Sequence, residues 1–424
     1  MGITFLILYN LLAPLIALLY LAFFLISPRR GLLKHLLAEL RERLTISVPV
    51  FQERPLWFHA ASVGEVRSLR ALIPAIRERH PLKPVMITTS TSSGKIEALK
   101  LTPHAFLLPL DSYPLMRRFL AAARPGLLMI AETELWPNLL YAAGRSGVKV
   151  IMINARISGR TLGFYNLFSP VSRLMFGNIS AIAAQSRGDL ERYGLLPGVT
   201  KDLVLTGNMK HDMVVPKAGD RTEIGAFFEQ AGWKDKKIFC AGSTHPEEED
   251  IILDAFLKIK AALPETRLIL APRHPETAAS SADRLRERGI TSPRWSLRAN
   301  IRTGPDGALI DEMGWLADMY YFADVVFVGG TLDDTGGHNV LEPSALAKPV
   351  LFGPNIKNTR DGALALINKN GGFMVKTADE LAAVVISLLK DPAALAAAGA
   401  SSKAALESLQ GATARTLALI GSSL

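Results

Sequence analysis

Residues 323–343 read Ala323-Asp324-Val325-Val326-Phe327-Val328-Gly329-Gly330-Thr331-Leu332-Asp333-Asp334-Thr335-Gly336-Gly337-His338-Asn339-Val340-Leu341-Glu342-Pro343. An apolar run of strand length ends in two glycine pairs, and a Glu-Pro step then opens a segment rich in Ala and Leu. The pattern predicts a buried strand, a glycine turn and a helix N-terminus. Bare backbone N–H groups and the helix dipole at such a junction hold an anion, and paired glycines let it approach the backbone closely. Glu342, one turn on, is placed to take a ribose diol. The junction is therefore expected to cradle a nucleotide.

The same alternation extends outward in both directions. Strands are expected at Leu56–Ala60, Val85–Thr89, Phe106–Leu108, Leu127–Ala131, Val148–Asn154, Ile182–Ala184 and Leu203–Thr206. After a polar break at 215–221 come Ile238–Ala241, Arg267–Ala271, Ala308–Ile310, Val325–Val328 and Pro349–Phe352. Near-continuous apolar strands, each followed by a helical stretch, predict parallel sheets covered on both faces. At 424 residues the chain exceeds one ordinary core. The expectation is α/β, with two Rossmann-like doubly wound domains over 51–214 and 215–390 and a helical segment over 391–424. Ligands are expected in the cleft, at the carboxyl ends of the strands.

Ile3 to Ile26 are 24 residues without a charge, broken only by Asn10 and Pro14. The run suffices to cross a bilayer core of ~30 Å at ~1.5 Å per residue, and it lacks the basic start and cleavage site of a signal peptide. Residues 1–28 are thus expected to be an N-terminal membrane-anchor helix, either crossing the bilayer or, bent at Pro14, dipping in without fully crossing. Arg29, Arg30, Lys34, Arg41 and Arg43 follow, which puts the bulk of the chain on the cytoplasmic side of an inner membrane. Leu33, Leu36, Leu37, Leu40 and Leu44 recur at helical spacing within 29–50. They fit either an interfacial helix on anionic lipid or packing on the protein's own core. The formal net charge is +9. Without a helix-turn-helix, zinc or aromatic RNA-binding signature, this points to anionic membrane or a phosphorylated ligand rather than nucleic acid. The single cysteine, Cys240, excludes an internal disulfide framework.

Chemistry-bearing motifs fall just after predicted strands. In His59-Ala-Ala-Ser62-Val-Gly64-Glu65, Glu65 sits in a first helical turn, where the dipole favours an ionised carboxylate ready to take a proton; an ordinary first-turn glutamate fits as well. In Glu132-Thr133-Glu134-Leu-Trp136-Pro137-Asn138, two carboxylates on an extended segment face opposite ways, so one alone should point into the cleft. The other reading is an N-capping cluster ahead of a helix begun by Pro137. Lys210 in Gly207-Asn208-Met209-Lys210 can reach a phosphate, or it is a solvated loop lysine. In Gly242-Ser243-Thr244-His245-Pro246-Glu247-Glu248-Glu249, Thr244 and Glu247 suggest a capping box, the acids suggest a solvated helix start, and the Gly242-Ser243 turn can touch a phosphate. Arg273-His274-Pro275-Glu276 offers bidentate phosphate contact. Met313-Gly314-Trp315 marks another loop-to-helix junction, and Phe352-Gly353-Pro354-Asn355 another strand-end turn.

Other classes are set aside. Ser93-Gly94-Lys95 lacks the remainder of a P-loop. No Gly-x-Gly-x-x-Gly follows the first strand, which argues against a dinucleotide dehydrogenase. The eight histidines are scattered, which argues against a zinc site.

Taken in order, His59 to Glu65, Glu132 to Asn138, Gly207 to Lys210, Arg273 to Glu276 and Gly336 to Pro343 resemble the motifs of the bacterial 3-deoxy-D-manno-octulosonic acid (Kdo) transferases of lipopolysaccharide synthesis. The resemblance spans essentially the whole chain. It implies a GT-B type glycosyltransferase fold and inverting, metal-independent transfer of Kdo from CMP-Kdo to the 6′-hydroxyl of a lipid A precursor (lipid IVA), with no cofactor. It implies Glu65 as general base, and Glu132 and Lys210 as transition-state stabilisers. Arg273, His274, Met313, Gly314, Trp315, Asn339, Val340, Leu341 and Glu342 match the CMP-binding segments. Gly242, Ser243, Gly329, Gly330, Gly336, Gly337 and His338 are candidates for further donor contacts. The chain departs from the usual pattern at Trp315, where an acidic residue is common, at Val340, where Pro is common, and at Thr331 and Ser344. Trp315 puts a side-chain contact there in doubt, while backbone contacts survive. Two other readings remain. A related glycosyltransferase or nucleotide-sugar epimerase would prefer a UDP-sugar, and a membrane-tethered nucleotide-binding scaffold would bind CMP without forming product.

Overall fold

The computed structural model describes residues 2–12, 39–199, 202–215, 221–300 and 304–424. The chain divides into two compact units, 1–213 with 410–424, and 214–409.

In the first unit β1 (Leu56–His59), β2 (Val85–Thr89), β3 (Ala105–Leu107), β4 (Leu127–Ala131), β5 (Lys149–Ala155), β6 (Ala181–Ala184) and β7 (Asp202–Leu205) form one parallel sheet in the order β3-β2-β1-β4-β5-β6-β7. The strand order reverses between β1 and β4, and that is where a doubly wound sheet binds its ligand. Both faces are covered. Leu56 and Phe58 enter one core cluster and Trp57 the other; Met129 and Ile130 divide in the same way. This is why these strands lack polar alternation.

In the second unit β8 (Lys237–Thr244), β9 (Thr266–Pro272), β10 (Gly307–Leu309), β11 (Val325–Val328), β12 (Val350–Phe352) and β13 (Gly372–Met374) form a parallel sheet in the order β10-β9-β8-β11-β12-β13, with its reversal between β8 and β11. Val325 and Phe327 face one cluster, Val326 and Val328 the other. Every strand expected from the sequence is present within a few residues of its bounds. β13 was not expected: three residues opening on glycine carry too little pattern.

The chain returns to the first unit at its end. Asp212 accepts from Gly411 N at 2.7 Å and Thr413 N at 2.5 Å, starting a helix, Ala412–Gly421, that buries Leu417 and Ile420 against the β1 core. At the other end an apolar helix, Gly2–Leu12, is present. Residues 13–38 lie outside the described residues, and with them most of the expected anchor and Arg29, Arg30, Lys34, Leu33, Leu36 and Leu37. Among the described residues no single helix is long and apolar enough to cross a membrane. The described part of the basic segment docks on the domain, with Arg43 donating to Ser90 O at 2.9 Å and Glu42 accepting from Leu107 N at 2.7 Å.

Candidate active site

Glu65 stands just past β1, at the strand reversal of the first unit. Ser62 caps the helix Val63–Ser68 and accepts from Glu65 N at 3.4 Å. The Glu65 carboxylate folds back, accepting from Ala61 N at 2.7 Å and Ser62 Oγ at 3.0 Å. Burial holds this carboxyl above its usual range; the Ala61 and Ser62 hydrogen bonds oppose the shift, and the charges of Glu134 and Glu132 add to it. The dipole argument expected the ionised form to be favoured. Desolvation and like charge outweigh it, and the result is a stronger base.

Glu132 directly follows β4, with φ +57°, and is almost wholly buried. Its carboxylate meets Lys210 Nζ at 2.7 Å and Arg156 Nε at 3.0 Å. The left-handed backbone breaks the alternation assumed for an extended segment. Glu132 and Glu134 therefore both act on Glu65, rather than one alone. Glu134 accepts from Trp136 Nε1 at 3.2 Å and lies 3.9 Å from Nε2 of buried His59; the nearby His59 ring and the Trp136 hydrogen bond hold its carboxyl below the usual range. Neither Thr133 nor Glu134 caps the next helix. Pro137 does begin it, but its cap is Trp136, and Thr133 Oγ1 instead donates to Arg156 O at 2.6 Å.

Lys210 follows the capping Asn208, whose side chain accepts from Lys210 N at 3.0 Å. Its ammonium is ion-paired rather than merely solvated. Met209 N donates to Asn154 Oδ1 at 3.0 Å, and Asn154 itself has φ +50°. Two non-glycine residues in the left-handed region, at the ends of adjacent strands β4 and β5, mark a strained rim of the kind found at functional sites. Sequence reasoning missed Arg156, which lies just past β5 like the other strand-end residues; that position was its only signal.

In the second unit the two motifs at the β8/β11 reversal meet through Glu248. Its buried carboxylate accepts from Gly330 N at 2.6 Å, Thr331 N at 3.3 Å, Leu332 N at 3.1 Å and His245 N at 3.1 Å. The glycine turn does cradle an anion, but that anion is the chain's own. Burial keeps this carboxyl above its usual range against the amide hydrogen bonds. Three expectations are corrected here. The helix beginning at Pro246 is capped at His245 with Glu248, not at Thr244 with Glu247. Glu248 and Glu249 are buried rather than solvated. The helix after the opening stretch is a single turn, Leu341–Ser344, too short for a substantial dipole.

Beside this turn, His338 and His245 stack at 5.1 Å with Nε2 atoms 2.8 Å apart, and His245 meets the His274 ring edge-on at 5.9 Å. Burial, then His245, Arg273 and His274, push the His338 pKa down to about 4. Arg273 and His274 are exposed past β9, with Arg273 N bonded to Thr244 O at 2.9 Å. Gly242 packs under the Tyr320 hydroxyl, and Ser243 has φ +56°. Thr331 Oγ1 accepts from Gly353 N at 2.8 Å, tying in the last strand-end turn. Gly336 and Gly337 are buried with φ +96° and +88°, closing the loop back onto Gly330 O.

The CMP-matching segments divide by environment. Asn339 and Glu342 are exposed and joined at 3.2 Å, whereas Val340 and Leu341 are core residues with only backbone to offer. Met313 and Gly314 are exposed. Trp315 packs edge-on against Trp295 at 5.1 Å under Arg298, so its ring belongs to the fold rather than to a ligand. His245, Glu247 and Asp333 offer atoms within 4.8 Å of one another, a juxtaposition that the scatter of histidines in sequence concealed.

A family model described as 3-Deoxy-D-manno-octulosonic-acid transferase (kdotransferase) matches residues 38–213. The chain is 34% identical over 340 residues to the 3-deoxy-D-manno-octulosonic acid transferase of Haemophilus influenzae, covering 79% of each. It is 31% identical over 376 residues, 86% of each chain, to that of Bordetella pertussis. UDP-GlcNAc 2-epimerase from Neisseria meningitidis bound to UDP-GlcNAc superposes with TM-score 0.57 at 13% identity, over 88% of this chain and 99% of that one, a likeness in fold alone.

Proposed function

The chain belongs to the 3-deoxy-D-manno-octulosonic acid (Kdo) transferase family, and from that premise we propose that it transfers Kdo from CMP-Kdo, with inversion and without a metal, to the 6′-hydroxyl of lipid IVA. It is a glycosyltransferase of lipopolysaccharide biosynthesis. The observation that carries the finer reading is Glu65: a carboxylate at the strand reversal, its pKa raised, beside the Glu132–Lys210 pair. Such a group takes the proton of an attacking sugar hydroxyl as the bond to the anomeric carbon forms. The departing CMP gains phosphate charge, which the Arg273 guanidinium is chemically suited to offset. Lys210, held by Glu132, presents a fixed cation at the other reaction partner. The charge-free run Ile3–Ile26 and the arginines after it support attachment to an inner membrane rich in anionic lipid, with both units on the cytoplasmic side.

The test is a transfer assay with CMP-Kdo and a tetra-acylated lipid A precursor, before and after exhaustive chelation. A Kdo-bearing lipid of inverted anomeric configuration, formed equally in both, is expected. Activity lost on chelation and restored by a divalent ion would reject metal independence and point to His245, Glu247 and Asp333. Turnover of a UDP-sugar in preference to CMP-Kdo would favour an epimerase-like activity instead.

A further inference from the structure

The apolar helix Gly2–Leu12 is fastened to the first unit by polar groups. Asn10 Nδ2 donates to Asn138 Oδ1 at 2.8 Å, and Asn10 Oδ1 accepts from Tyr113 N at 3.2 Å. Tyr9 lies beside Asp111, whose carboxylate takes Asn138 N and Leu139 N at 3.1 and 2.9 Å. At the other end, a Cβ on Gly2 would come within 3.1 Å of Pro170 O, so both ends of the helix lie against the domain. Beside the helix runs a groove of about 590 Å³, walled by Leu6, Ile7 and Leu11 on one side and by Tyr113, Pro114 and Tyr141 on the other. Ile7 and Leu11 remain 57% and 69% exposed, which leaves a contiguous apolar wall open.

We propose that this groove receives an acyl chain of the lipid acceptor; the assignment rests on the transfer reading above. Three observations favour that occupant. The lining is mostly hydrocarbon and aromatic, with Asn10, Ser112 and Asn138 as its polar members, and the volume is that of a ligand site. The groove is flanked by the segment that carries an active-site carboxylate: Asn138 lines it, four residues after Glu134, whose charge acts on Glu65. Arg117 and Arg118 follow Pro114 by one helical turn and are exposed. They have no ion pair among the described residues and are placed to meet a lipid phosphate. Acyl chain, phosphate and sugar hydroxyl would then be read along one path. Each methylene buried should add roughly four-fold to affinity, so the groove would select acceptors by acylation.

The test uses the full chain in detergent micelles, measuring direct binding and turnover with a tetra-acylated diglucosamine phosphate acceptor and with its de-O-acylated form. Ser112 lines the groove and makes no capping hydrogen bond through its side chain. Ser112→Phe should narrow the groove, while Ser112→Ala leaves it open. Leu11→Asp puts a carboxylate on the opposite wall from an exposed position, without touching the domain interior. The wild type and Ser112→Ala should bind the acylated acceptor at least ten-fold tighter than the deacylated one. Ser112→Phe and Leu11→Asp should lose that preference and keep an unchanged KM for CMP-Kdo. Equal affinity of the wild type for both acceptors overturns the proposal. So does loss of the preference on adding phosphatidylglycerol with turnover unaffected, which assigns the groove to bilayer lipid. Acyl-dependent binding without any Kdo transfer would leave the groove standing and remove the transfer reading; transfer without acyl dependence does the reverse.

Discussion

Lys210 Nζ lies 2.7 Å from Glu132 Oε1, a contact between residues 78 positions apart that brings the end of β7 to the end of β4. Glu132 has a left-handed backbone and is paired with Arg156 as well. Lys210 is 46% exposed, so solvent screens its share of the pair. Lys210→Met should therefore cost only about 1 kcal/mol of stability, far less than a fully buried pair. Its effect on kcat should be larger, on the order of 100-fold. A double-mutant cycle with Glu132→Gln tests whether the two act as a unit. The double variant should be little worse in kcat than the weaker single one, and losses that multiply would reject the pairing.

The raised pKa of Glu65 gives two pH effects with opposite consequences. As a base the group must be ionised, so kcat/KM should rise with pH through a value above the ordinary carboxylate range. For stability, the folded form holds its proton to higher pH than the unfolded chain. The protein therefore loses stability as pH rises from the unfolded pKa through the folded one. Glu65→Gln should remove that loss, giving a higher Tm than wild type at neutral pH and no advantage below the unfolded pKa. Melting curves at several pH values decide it; a variant less stable at neutral pH contradicts the electrostatic reading.

Glu248 organises the second unit by filling the turn after β11. Glu248→Ala would leave the buried amides of Gly330 and Leu332 unpaired, at a cost of about 2–4 kcal/mol. Glu248→Gln keeps an acceptor and should cost less. Gly329→Ala should act on the same turn, because its Cβ would meet Ser243 O at 2.4 Å and Thr244 Cα at 2.7 Å, both backbone atoms. Denaturant unfolding measures all three, and wild-type stability of Glu248→Ala would show the amides solvated instead.

The fold was legible where burial suppresses polar alternation. Leu127–Ala131 and Val325–Val328 were placed to the residue, because every side chain in them is interior. Glu65 was legible as a first-turn residue after β1. Its partners were not, because pairing across the sheet end depends on backbone that sequence does not announce. A glutamate at φ +57° is uncommon, and with the alternation intact Glu134 would have faced away. The nucleotide-cradle reading of Gly329-Gly330 recognised an anion site correctly and misjudged its occupant. Glu248 lies 82 residues earlier, in a run of acids that looks solvated until the sheet brings it under the turn.

The most direct measurement is the single-turnover rate of Kdo transfer by wild type and Glu65→Gln, at saturating CMP-Kdo and acceptor, with donor affinity measured alongside. Loss of the base should slow transfer by about 10²–10⁴-fold while CMP-Kdo binds unchanged and the variant melts cooperatively. Transfer by Glu65→Gln within a few-fold of wild type would contradict Glu65 as the group that takes the acceptor's proton.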